Sequence, residues 1–150
     1  MSVDYIVSSL PTLSFDAPAP MTWERFAELA GANAEPPPEW TDLETQLRNA
    51  MAEARGGAKY VRHADGCSIY WKNRVTACFQ EKDVAAREKL IDKVWWDAAG
   101  ELTPPASPLG RGALQTYALR LRIAIKRSAI SAERGNAAFD ALTAETKVQF

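Results

Sequence analysis

The strongest constraint on the fold is the longest apolar stripe in the chain, formed by Leu114, Tyr117, Leu121, Ile125 and Ser128 with Ala118 and Ala124 beside it. Steps of three and four residues place these side chains on one face of an α-helix. Ser107-Pro108 supplies an N-cap and first-turn pair, so the spacing predicts a helix from 108 to about 130. The other side of that helix carries Arg120, Arg122, Lys126 and Arg127. Ser131 reads as the start of a separate short helix running through Phe139 and Leu142.

Upstream, the pattern is again helical. Thr22 is a candidate N-cap ahead of Trp23, Phe26 and Leu29, with Gly31 as the stop. Pro36, Pro37 and Pro38 stiffen a connector over 33–39. Thr41 to Glu44 has the form of a capping box, which predicts a helix starting there and burying Leu43, Leu47, Met51 and Ala54 before Gly56-Gly57. Asp65-Gly66 could turn a hairpin, but Cys67, Trp71, Val75 and Cys78 recur at helical intervals and predict a helix over roughly 67–80. Asp83 caps the next, with Leu90, Val94 and Ala98 on one line and Ile91 and Trp95 beside it, up to Gly100. A Pro/Gly loop at 103–108 follows. The expectation is a single all-α domain, 1–150, of five to six helices, opened by a short apolar extended or one-turn segment that turns at Leu10-Pro11.

With 150 residues, 47% of them apolar and 25% charged, the chain has the composition of an ordinary globular domain. Two cysteines make no disulfide framework, which fits a reducing, cytoplasmic setting. No Lys or Arg precedes the apolar run at the N-terminus and Pro11 cuts it short, which argues against a secretory signal. The net charge of −1 conceals an asymmetry: residues 1–57 carry three basic and nine acidic groups, residues 58–150 fifteen and ten. Such a dipole can steer a charged partner without marking a nucleic-acid binder.

Chemistry-bearing constellations are sparse. His63, Asp65 and Cys67 form H-x-D-x-C, yet zinc needs further ligands and cysteine catalysis a base and an oxyanion hole, so a loop histidine and a buried cysteine are expected. Gly110-Arg111-Gly112 lacks the preceding strand and the Lys-Ser/Thr of a phosphate loop. Glu44 and Arg48, four apart, read as a helix-surface ion pair. No catalytic residue, cofactor or metal is therefore expected. The run RLRIAIKR could meet an acidic protein face or phosphates. Of the adjacent indoles Trp95 and Trp96, one should enter the core and the other, taken as Trp96, should anchor a partner.

Four stretches in order carry a resemblance. YIVSSLPTLSFD followed by APAPMTWERF, with Tyr5, Leu10, Pro11, Leu13, Phe15, Pro20, Thr22 and Phe26, is the first. The second spans Trp40 to Arg55, with Glu44, Leu47, Arg48 and Asn49. Tyr117, Leu121, Ile123 and Arg127 form the third, and Gly135 with Phe139 the fourth. Together they resemble a bacterial domain-of-unknown-function family encoded with V/A-type ATPase genes and similar to the C-type subunit of those ATPases, here in a short form with a compressed middle.

The resemblance implies a non-catalytic, all-helical coupling or adaptor subunit between the central stalk and the rotor ring, engaged in proton transport. It would be cytoplasmic and peripheral to the membrane through the complex, and it supplies no catalytic residue. Its partners would be stalk or rotor subunits, with Arg120, Arg122, Lys126, Arg127 and Trp96 as the candidate contacts. On this reading, reversing the four cations to Glu leaves the fold intact and abolishes capture. A nucleic-acid or regulatory module using helix 108–130 is the alternative, and a small enzyme using His63, Asp65 or Cys67 the third reading.

Overall fold

The computed structural model describes residues 2–35, 37–56 and 68–148, with side chains described up to Ser131 except those of Ala32 and Ala34. Among the described residues six α-helices follow one another: α1 (Val3–Ser9), α2 (Trp23–Ala30), α3 (Pro38–Ala54), α4 (Ile69–Cys78), α5 (Val84–Ala99) and α6 (Arg111–Val148). Short 3-10 turns follow α2 at Gly31–Ala34 and α5 at Gly100–Leu102. The fold is all-α, with no strand among the described residues. No described helix is long and apolar enough to cross a membrane. His63, Asp65 and Cys67 lie outside the described residues.

Local chemistry accounts for the caps. Thr22 accepts from the Arg25 amide at 3.2 Å and Asp83 from the Ala86 amide at 2.9 Å, each satisfying an orphan donor of a first turn. Gly31 then ends α2 with φ of 56°, a backbone state that glycine reaches without penalty. The opening apolar run, read from sequence as extended or one-turn, is the two-turn helix α1, which buries Ile6 and ends at Leu10-Pro11.

Two other expectations are corrected. The start of α3 is Pro38, with Pro37 at the cap position, so Thr41 lies inside the helix and the Thr41–Glu44 box does not form. Proline's fixed φ suits the first turn, where its missing N–H has no partner to lose. Thr41 instead gives its carbonyl to the Thr45 hydroxyl, and Glu44 pairs with Arg48. Likewise α6 does not stop near 130 and restart at Ser131: it is one helix of 38 residues, about 57 Å long at 1.5 Å per residue. It begins at Arg111, after Gly110 and not at Ser107-Pro108. An exposed serine is tolerated within a helix, and Gly135 alone costs only about 1 kcal/mol relative to alanine.

Two apolar clusters share α6. One gathers Trp40, Leu47 and Ala50 of α3, Trp71, Val75 and Cys78 of α4, Ile91, Val94, Ala98 and Ala99 of α5, and Leu119 of α6. The other joins Ile6 of α1, Phe26 and Ala30 of α2, and Leu114, Ala118 and Leu121 of α6. Opposite sides of α6 thus serve different partners. Leu90, expected on the core line of α5, is 44% exposed, and the buried line runs through Ile91, Val94 and Ala98.

Side-chain hydrogen bonds tie the two halves together. The Ala19 amide donates to the Ser128 hydroxyl at 3.0 Å, the Gln115 side-chain amide to the Glu35 carbonyl at 3.0 Å, and the Tyr117 hydroxyl to the Pro11 carbonyl at 2.8 Å. Where α6 starts, the backbone comes close to the turn after α5: a Cβ on Gly112 would stand 2.0 Å from the Leu102 carbonyl oxygen. Gly112→Ala should therefore destabilise the protein by about 1–3 kcal/mol through overpacking against backbone, despite the roughly 1 kcal/mol helix-propensity gain. Urea denaturation measures this; an unchanged midpoint would show that the approach is relaxed in solution.

Candidate functional site

The basic run on α6 is the main candidate surface in the sequence, and three of its four cations are engaged by groups of the fold. At the centre lies Asp92 of α5, only 4% exposed and not singled out by any sequence pattern. Lys126 Nζ reaches one of its carboxylate oxygens at 2.6 Å and an Arg127 guanidinium nitrogen the other at 2.9 Å. Arg127 also lies 5.3 Å from the centre of the Phe15 ring, which meets Trp96 edge-on at 5.5 Å and has Lys93 5.3 Å away.

Arg120 is held just as closely. Its Nε donates to the Trp96 carbonyl at 2.9 Å, and its guanidinium lies 5.2 Å from the Trp96 ring centre. Burial pulls it below the usual arginine range, partly offset by the negative charge of Asp97. Only Arg122 is both exposed and without a carboxylate among the described residues; it sits 4.3 Å above the Trp23 ring. Trp96, expected as a partner anchor, is 5% exposed, because α5 is covered on both sides. Trp95 is the less buried indole and meets Trp40 edge-on at 6.0 Å.

The expectation that reversing all four cations spares the fold is corrected by these contacts. Reversing Lys126 and Arg127 would set two carboxylates against a third that is buried, and a buried carboxylate without a counter-charge costs several kcal/mol.

The family-pattern residues divide between structure and surface. Leu10 packs on the α1–α2–α6 cluster, Pro11 receives the Tyr117 hydroxyl, Phe15 is held among Trp96, Lys93 and Arg127, and Trp40 is core. Tyr117 stacks on Phe26 at 5.5 Å, and burial raises its phenol above the ordinary value. Tyr5 is exposed on α1. Cys78 is buried with its thiol pushed up, first by desolvation, and is therefore a poor nucleophile.

Glu44 and Arg48 stand on the rim of a cleft of about 450 Å³ between α3 and α6, with α5 as its floor. Trp40, Met51, Ile91, Trp95, Leu119 and Ile123 give it apolar walls, while Glu88, Arg122 and Lys126 complete the charged rim. What this arrangement can do is bury the apolar face of a partner segment within a charged border of both signs. Sequence reasoning singled out several of its members separately, but not Glu88, Asp92 or Leu119 and not the cleft, since no pattern states that α3 and α6 stand apart across α5.

A second ion-pair group braces α4 against α5: Arg74 meets Asp97 at 2.7 Å and Lys93 meets it at 3.2 Å. No protein-family model, curated protein or solved structure matches the chain.

These charges generate two expectations. Lys126→Glu with Arg127→Glu should cost about 3–5 kcal/mol in chemical denaturation, whereas Arg122→Glu should stay within about 0.5 kcal/mol; equal effects would place Asp92 in a wetter site than its burial indicates. For Asp97, burial raises the carboxyl, but hydrogen bonds from Arg74 and Lys93 outweigh it and leave it below 3.8. A depressed carboxylate contributes stability above its unfolded value that is lost as pH falls through the folded one. Thermal midpoints measured from pH 6 to strong acid should drop below about pH 4, and Asp97→Asn should make that drop shallower.

Proposed function

We propose that the chain is a non-catalytic adaptor or assembly subunit acting through protein–protein surfaces, associated with a bacterial V/A-type ATPase as a short relative of its C-type component. The observation that carries the binding role is the α3–α5–α6 cleft, with its two neighbouring indoles, apolar walls and rim of mixed charge. Aromatic side chains at the centre of a groove are the residues that most often carry binding energy, and a rim of both signs favours one register of an amphipathic partner helix. The ATPase setting is supported by the order of the four sequence stretches that resemble the family.

The nucleic-acid alternative draws no support from the cation contacts. Lys126 and Arg127 are committed to Asp92 and Arg120 to Trp96, so these residues do not form the open row of cations that phosphate binding uses.

The test is a rim exchange, Glu88→Lys with Arg122→Glu, in the full chain. Both side chains border the cleft, and neither is fully buried. Co-purification with ATPase stalk or rotor subunits from the native cell should fall at least about tenfold, with helical circular dichroism and thermal midpoint retained. Undiminished capture by the exchanged variant would overturn the cleft as the binding surface, and absence of ATPase subunits from the wild-type capture would overturn the setting.

A further inference from the structure

A second cavity, of about 320 Å³, opens between the turn after α1, the end of the 3-10 turn after α5, and the start of α6. Val7, Leu10, Pro11, Leu13 and Ala113 form its apolar walls, and Thr12, Thr103, Thr116, Tyr117 and Arg120 its polar ones. Most of the hydroxyls are spoken for: Thr116 donates to the Ala99 carbonyl at 2.8 Å, Thr103 consequently donates to Thr116 at 2.7 Å, and Tyr117 donates to Pro11. Arg120 is different. One of its N–H groups is fixed on the Trp96 carbonyl and the ring of Trp96 lies against it; the charge of Asp97 acts on the group from a distance, but among the described residues its terminal nitrogens make no hydrogen bond or ion pair.

The surroundings are shaped around that guanidinium. A Cβ at Gly100 would come within 2.7 Å of its Nη2 nitrogen, so the absence of a side chain there leaves its place clear. The result is a partly buried, pre-positioned planar fork with unused donors at the edge of a cavity that has both polar and apolar walls. A guanidinium fork pairs two parallel N–H groups with the two oxygens of a carboxylate, and a position fixed in advance lowers the ordering cost of binding. Among the described residues no other cation lines the cavity, so the charge available matches a monoanion and not a phosphate dianion. The volume lies at the small end of ligand sites.

We propose that this cavity binds a small monocarboxylate with a short apolar tail, its carboxylate paired with Arg120 and its tail against Val7, Leu10, Leu13 and Ala113. This site is separate from the α3–α5–α6 cleft, and the two proposals stand or fall independently.

Isothermal titration calorimetry of the full chain with butyrate, hexanoate and inorganic phosphate tests it. Hexanoate should bind more tightly than butyrate, and phosphate at least about tenfold more weakly than hexanoate. Arg120→Gln should weaken hexanoate at least about tenfold. Because Arg120→Gln also removes a donor to Trp96, Ala113→Leu provides a comparison that keeps the arginine and fills the apolar wall; it too should weaken hexanoate at least about tenfold. In wild-type protein the Arg120 Nε–Hε resonance should shift on titration with hexanoate. No heat and no shift with hexanoate, unchanged hexanoate binding in Ala113→Leu, or phosphate binding as tight as hexanoate would each overturn the proposal.

Discussion

Asp92 sets conditions that the rest of the molecule has to meet. A carboxylate buried to this degree persists only with counter-charges on both oxygens, and Lys126 and Arg127 of α6 supply them. This pins the register of α6 along α5, since a slip of one residue would leave at most one of the two cations beside the carboxylate. The register in turn sets what else α6 meets. Arg127 reaches Phe15, Arg120 reaches Trp96, Leu119 enters the α3–α4–α5 cluster, and Leu114, Ala118 and Leu121 enter the α1–α2 cluster.

The basicity of α6 therefore has a different meaning in three dimensions. Along the chain, RLRIAIKR looks like a solvated or partner-facing charge run. In the fold it is largely an internal device, with two cations neutralising a buried acid and a third lying on an indole. The gaps that remain lie elsewhere: the cleft across α5, walled by Trp40 and Trp95, and the cavity that the terminal nitrogens of Arg120 border near the 3-10 turn. Both depend on gaps between helices and not on any single helix.

Much of the helical layout was legible because it is local. Thr22 and Asp83 cap their helices through hydrogen bonds to amides three residues on, an interaction that sequence spacing encodes directly. The apolar stripe of α6 was readable for the same reason. Where two local signals competed, the reading failed: at α3 the Pro37-Pro38 start prevailed over the Thr41–Glu44 box, and at Ser131 an N-cap residue lay inside a continuing helix. Leu90 and Ile91 differ by one position, and only the neighbours of α5 decide which is covered. Of the candidate site, the Glu44–Arg48 pair was legible as a neighbour contact. Asp92 was not, because an acid on an amphipathic helix looks solvated until its partners, 34 and 35 residues away, are placed beside it.

The sequence by itself determined that this chain is built of helices, where most of them are punctuated, and which faces of α2 and α6 are apolar, because each follows from interactions within a few residues. Tertiary structure alone decided that Trp96 is covered, that Arg127 is a counter-ion, that Arg120 keeps free donors and that α3 and α6 leave a cleft between them. Those outcomes depend on which helices meet and at what register, and that is set by burying two clusters on opposite sides of one helix while leaving no buried charge alone.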